Sequence, residues 1–314
     1  MKIYVQSRGY YQPEQDYRWL EVSQDGKINT RIPPLSSTAT NLIAQDSPSL
    51  VLERLPTNQL LLMITGIEPY KIQESFDSIT SQMQPKKIPR QDSEPRQITV
   101  DVVWLAEDNE KTDFGFRQMA AFTLKEENQE SLAEKIDRAV LFLKDIDTQL
   151  SDDIQNNQYG FYPRFEELYQ LVFPESFYTI PTGEAPELIK KIGKNVPQMK
   201  NELSEEIGRC YLPSDYDILV IVTGSKKRKT LEDAGGWRSL SELVDQDHWE
   251  EVQSINQAQK YSEIDLKKLI LLPIDLFTTV LETWQDFFQS VFSPSKNTNN
   301  SESNQKQNLE KLEE

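Results

Sequence analysis

Seven residues, Asp217–Thr223 (Asp-Ile-Leu-Val-Ile-Val-Thr), constrain the fold of this chain more than any other stretch. A half-buried strand alternates apolar and polar side chains, but this one is apolar on both faces, so it must be covered on both and lie inside a sheet. Gly224 ends it.

The other strand signals lie in the N-terminal third. Lys2–Gln6 and Tyr17–Val22 are rich in aromatic and β-branched residues and read as strands. The runs 50–55 and 59–65 flank Pro56-Thr57-Asn58, which predicts a hairpin. Ile98, Val100, Val102 and Trp104 alternate with Thr99 and Asp101, a strand with one buried face. Between these lies 81–97, with Pro85, Pro89 and Pro95. Each proline removes a backbone donor and fixes φ, so a mobile loop is expected.

Helical periodicity dominates the remainder. A short helix is expected over 37–44, and another around Phe114, Phe116, Met119, Ala120 and Phe122. Leu132, Ile136, Ala139, Val140, Leu143, Ile146 and Leu150 predict an amphipathic helix of about six turns. Thr123 and Glu126 have capping-box spacing ahead of it. Further helices are expected over 165–172, 187–192, 196–209, 237–244 and 265–272.

The expected architecture is α+β or mixed α/β. An N-terminal antiparallel or mixed sheet is covered by two helices, and a mostly helical second part holds one central buried strand. The domains are 1–150, a linker at 151–160, a helix-rich α/β domain at 161–293 ending in an amphipathic helix, and a disordered tail at 294–314, rich in Asn, Ser, Gln, Lys and Glu.

Composition narrows the function. One Cys excludes an intrachain disulfide, and one Cys with one His excludes a self-contained Cys/His zinc site. The net charge is −17, and residues 106–215 alone carry 12 basic against 22 acidic side chains. A surface of that sign repels nucleic acid and anionic lipid. The N-terminus lacks an apolar signal region, and the longest apolar-rich stretch, 269–281, has 13 residues where a membrane span needs roughly 20. A cytoplasmic protein without membrane contact is expected.

The exception to the acidic character is Lys226, Lys227, Arg228 and Lys229, directly after the buried strand. That is where phosphate-binding loops sit, but a Walker-type loop needs two glycines bracketing four residues, then Lys and Ser or Thr, and a dinucleotide fold needs three spaced glycines. The run reads as a solvated loop, or as a patch for an anion or an acidic partner. His248, among Asp245, Asp247, Glu250 and Glu251, suits a surface position better than a general base. Cys210 reads as a packed core thiol. Asp145, Asp147, Asp152 and Asp153 lack the Gly and terminal Glu of a calcium loop, and Asp217 has no Glu-x-Lys partner for a nuclease centre. No catalytic residue, metal ligand or cofactor is assigned.

From Ile274 onward, Phe277, Val280, Leu281, Trp284, Phe287, Phe288 and Val291 keep helical register. Phe277, Leu281, Trp284, Phe288 and Val291 form a stripe that suits either core packing or a partner.

The run Lys2-Ile3-Tyr4-Val5-Gln6-Ser7-Arg8-Gly9, then Asp16-Tyr17-Arg18-Trp19-Leu20, Pro48-Ser49-Leu50-Val51-Leu52-Glu53-Arg54-Leu55 and Leu60-Leu61-Leu62-Met63-Ile64-Thr65-Gly66, resembles uncharacterised bacterial, often cyanobacterial, accessory proteins of conflict or defence loci. The resemblance covers about the first 125 residues and rests on strand cores. It implies an adaptor or regulatory component and no active site. The expected function is therefore a non-catalytic interaction protein with protein partners. The alternatives are a nucleotide- or phosphate-handling enzyme or sensor centred on 224–230, and a nucleic-acid-binding accessory using 226–229.

Overall fold

The computed structural model describes residues 1–8, 17–43, 48–77, 82–91, 96–142, 160–175 and 183–252. Strands form first. β1 (Lys2–Ser7), β2 (Arg18–Val22) and β3 (Ile28–Thr30) pair in succession, antiparallel. α1 (Ser37–Leu42) starts where the Ser36 hydroxyl accepts the Ala39 N–H at 2.9 Å. That hydroxyl in turn donates to the buried Glu53 carboxylate at 2.8 Å. β4 (Ser49–Leu55) and β5 (Gln59–Ile67) form the expected hairpin. Its turn places Asn58 at φ 56°, a left-handed conformation that Asn tolerates better than most residues.

The proline-rich stretch departs from expectation. β6 (Tyr70–Asp77) and β7 (Gln82–Pro89) pair along their whole length as a separate two-stranded ribbon. In such a ribbon each strand keeps one free edge, so a proline without an N–H is tolerated there. β8 (Val100–Glu107) follows and is buried on both faces rather than one.

α2 (Glu110–Leu124) is capped by the Asn109 side chain, which accepts the Thr112 N–H at 3.0 Å. A 3-10 turn (Glu126–Asn128) leads into α3 (Gln129–Ala139). The capping box does not form, because the Thr123 hydroxyl donates back to the Met119 carbonyl at 2.9 Å. Nor does the six-turn helix: α3 ends at Ala139 and the chain turns into β9 (Val140–Phe142), paired with β10 (Phe161–Pro163). Pairing and burial of Phe142 and Phe161 outweigh the helical register of Val140. Residues 143–150, the four carboxylates from Asp145 to Asp153 and most of the expected linker lie outside the described residues.

α4 (Phe165–Val172) and α5 (Pro197–Arg209) match expectation, with proline at the first position of α5. Two other expected helices are strands: β11 (Lys191–Lys194) replaces 187–192, and β13 (Arg238–Ser241) replaces 237–244. β12 (Ile218–Thr223), α6 (Arg228–Ala234) and β14 (Glu250–Glu251) complete the order.

These strands overturn the expected fold class. The main sheet has ten strands, in the order β14-β11-β13-β12-β4-β5-β8-β1-β2-β3. β11, β13 and β12 run parallel, and every other pair in it is antiparallel. The second half of the chain is thus not a mostly helical part holding one strand. It adds four strands to the sheet of the first half, joined where Val51 faces Ile221 and Leu50 faces Val222. The misreading has a physical cause. Arg-Ser-Leu-Ser has no apolar alternation, yet all four residues are buried, because the flanking parallel strands satisfy the backbone and helices cover both faces.

One face carries the larger core, where α2, α3, α4 and α5 bury Phe116, Ile136, Leu168 and Leu203 against Trp104, Val102 and Val220. The other face holds α1 and α6 over smaller clusters around Val103 and Ile221. The described residues up to 252 form one compact unit. Among the described residues no helix is long and apolar enough to cross a membrane.

Candidate functional site

The four helices on the larger core are fixed by buried polar anchors, and those anchors shape what lies between them. α5 approaches α2 closely: a Cβ at Gly208 would sit 3.7 Å from that of Ala121. The Ser204 hydroxyl donates to the Ala121 carbonyl at 2.8 Å, and the Gln118 amide to the Gly208 carbonyl at 2.9 Å. Arg117 reaches across from α2 to the Ile207 and Gly208 carbonyls, both at 3.2 Å, while its Nε holds Asp113 at 2.5 Å. Burial pushes the Asp113 carboxyl up; the Arg117 charge and the Leu212 N–H pull against it.

α4 is tied to the sheet by the fully buried Trp104, whose indole N–H donates to the Leu168 carbonyl at 2.9 Å. Gly115 on α2 lets the end of α4 come close, since a Cβ there would lie 2.5 Å from the Phe173 ring and 2.9 Å from the Val172 carbonyl oxygen.

Between α2, α3, α4 and α5 these anchors leave an open groove of about 700 Å³. Met119, Leu132 and Val172 make its floor, and the half-buried Phe122 and Leu171 its walls. Lys125, Lys135 and Arg209 stand at the rim against the single acid Glu205, three positive charges to one negative. Arg209 pairs with Glu184 at 3.0 Å. Lys135 lies 4.5 Å over the Phe122 ring. Among the described residues neither Lys125 nor Lys135 joins an ion pair. An apolar floor inside a basic rim suits the apolar stripe of an amphipathic helix.

The basic run is elsewhere, at the ends of the parallel strands. Lys226 is held through its backbone, its N–H donating to the Ser241 hydroxyl at 3.2 Å and its carbonyl accepting from that hydroxyl at 2.5 Å. Arg228 is committed to Glu232 at 2.7 Å and to Glu250. Lys227 and Lys229 are exposed. The segment that meets this loop at Ser241 and Glu250 also carries Glu242, Asp245, Asp247 and Glu251 in its sequence, so acids accompany the bases. Asn195, from the end of β11, donates to the Thr223 carbonyl at 3.2 Å and closes the gap over β13.

His248 is exposed, 3.7 Å from Asp247. Cys210 is a buried free thiol at the end of α5. Asp217 is exposed, and its carbonyl accepts the Arg54 N–H at 2.7 Å. The stripe Phe277, Leu281, Trp284, Phe288 and Val291 and the tail 294–314 lie outside the described residues. Among the described residues no group of three or more His, Cys, Asp or Glu side chains is placed to hold a metal ion.

Two carboxyls stand apart from the groove, the half-buried Asp101 and the buried Glu53. Burial lifts the Asp101 carboxyl to about 6 while a 2.8 Å bond from the Gly66 N–H opposes it. Glu53 is raised for the same reason, opposed by the two bonds from Ser36.

Sequence reasoning missed the groove, since its lining comes from five separate segments, each an ordinary amphipathic stretch in isolation. Nothing in the sequence sets Lys125 and Lys135 apart from the other basic side chains of residues 106–215. Comparison with family models, with curated proteins and with solved structures finds no match for this chain.

Proposed function

We propose that this protein is a non-catalytic interaction component of a cytoplasmic regulatory assembly, and that the groove between α2, α3, α4 and α5 is its working surface. The observation that carries this reading is the sign of the groove. With Arg209 balanced by Glu184, the two lysines Lys125 and Lys135 face the single acid Glu205 around an apolar floor on a chain of net charge −17. A concave apolar surface rimmed by polar groups is the usual form of a protein-docking site. The resemblance of the first 125 residues to accessory proteins of defence loci is the ground for placing that assembly in bacterial defence. The alternatives at 224–230 rank behind it, because Arg228 is committed to two carboxylates of its own chain.

The test is parallel capture from the native host with the full chain and with Leu171→Glu, after thermal melts confirm that both are folded. A defined partner recovered in stoichiometric amount by the first and lost by the second supports the reading. The same partner recovered equally by both removes the groove as the working surface. Steady turnover of a nucleotide by the purified chain removes the non-catalytic assignment.

A further inference from the structure

We infer that the occupant of the groove is an acidic amphipathic helix of a partner protein, with aliphatic or aromatic residues against Met119, Leu132 and Val172 and carboxylates facing Lys125 and Lys135. This rests on the groove being the docking surface. Shape gives the first half of the argument. The groove runs between helices on a rigid sheet, and a helix lays a stripe of residues at i, i+3, i+4 and i+7 into such a trough. Met119 at the floor is unbranched and polarisable, so it can repack around a branched or an aromatic anchor.

Charge gives the second half. This chain has 51 acidic side chains and 34 basic ones, so a basic site on it has many possible internal partners. Other described bases near these helices have taken them: Lys200 pairs with Glu126 at 3.3 Å, and Arg138 with Glu134. Among the described residues Lys125 and Lys135 have none, and both line the groove. A basic partner would be drawn to the acidic remainder of the surface and repelled at the rim. An acidic one is repelled elsewhere and accepted here, which is how charge sets partner choice and orientation.

The probe is a displayed library of 16-residue peptides with a fixed Leu/Phe stripe at helical spacing. Every other position is free to be Glu, Lys or Gln, and the library is selected against the full folded chain. Enrichment of Glu beside the stripe is expected. Binding of the enriched peptides should be abolished by Leu171→Glu and weakened about tenfold by the pair Lys125→Glu and Lys135→Glu. Reselection on that pair should shift the preference to Lys. If the selected peptides are basic or show no bias yet are still blocked by Leu171→Glu, the docking surface stands and the acidic occupant is wrong. If nothing is selected, or the binders ignore Leu171→Glu, the docking surface itself falls. Thermal melts of each variant separate these outcomes from unfolding, and Lys135, which is exposed, tolerates reversal alone.

Discussion

The fully buried Arg238 guanidinium on β13 is clamped by the Glu206 carboxylate of α5 through two bonds, Nε to Oε2 at 2.7 Å and Nη2 to Oε1 at 2.5 Å. Its Nη1 donates to the Ile189 carbonyl at 2.5 Å, and its plane lies 4.2 Å over the Trp237 ring. One side chain thus ties a wall of the groove to the parallel strands. Glu206→Gln leaves the buried cation only the more distant Glu187 carboxylate, at 3.8 Å, as counter-charge, and the expected cost is about 3 kcal/mol. Arg238→Met removes the buried charge itself and should cost less. Urea midpoints of the two variants decide: equal stability in Glu206→Gln and the parent would show that the pair does not hold α5.

Asp101 predicts a pH dependence. An unfolded aspartate titrates at about 4, whereas the half-buried Asp101 does so at about 6. Between those values the folded chain keeps a proton that the unfolded chain has released. The stabilisation from protonated Asp101 is therefore complete below about pH 4, falls as pH rises through about 6, and is absent above it. Asp101→Asn should raise stability at pH 7 by up to about 2 kcal/mol and flatten this slope. The Asn carbonyl oxygen can still accept the Gly66 N–H. Glu53 contributes a slope of the same sign in both proteins, so the difference between their unfolding curves across pH 4 to 7 reads Asp101 alone.

Gly115→Ala gives a sign test of packing against propensity. Alanine favours a helix interior by about 1 kcal/mol over glycine. Here its methyl would meet the Phe173 ring at 2.5 Å and the Val172 carbonyl oxygen at 2.9 Å. Overpacking of that kind costs about 1–3 kcal/mol, so a net loss of stability is expected. A rise in melting temperature would mean that α4 moves away freely and is not held against α2.

The basic run has a prediction of its own. Replacing Lys226, Lys227 and Lys229 together by Ala should leave single-stranded oligonucleotide affinity and its salt slope unchanged, read by fluorescence anisotropy at two salt concentrations. The loop faces acids as well as bases, and its arginine is engaged. A slope reduced by about 0.7 for each lysine removed would establish a phosphate site there.

Much of the fold was legible where one residue pattern answers to one local cause. β1, β2, β4, β5 and β8 carry apolar runs, and α4 and α5 keep their stripes in register. What was not legible depended on neighbours far along the chain. Pro85 and Pro89 belong to a strand because β6 lies beside them and no further strand does in their ribbon. Val140 leaves the helix because Pro163 of β10 faces it. The groove was hidden for the same reason: Lys125, Leu171 and Gly208 are unremarkable until three helices bring them together.

By itself the sequence determined that 218–223 would be an interior strand, since a run apolar on both sides has no face that water can cover favourably. It also confined any His- or Cys-dependent chemistry to His248 and Cys210. Only the tertiary structure decided that this strand would join two halves of one sheet, antiparallel to β4 and parallel to β13. Arg238, Ser239 and Ser241 have little tendency to form a strand alone. They become one when β11 and β12 supply the backbone partners and Glu206 supplies the charge that lets the arginine leave water.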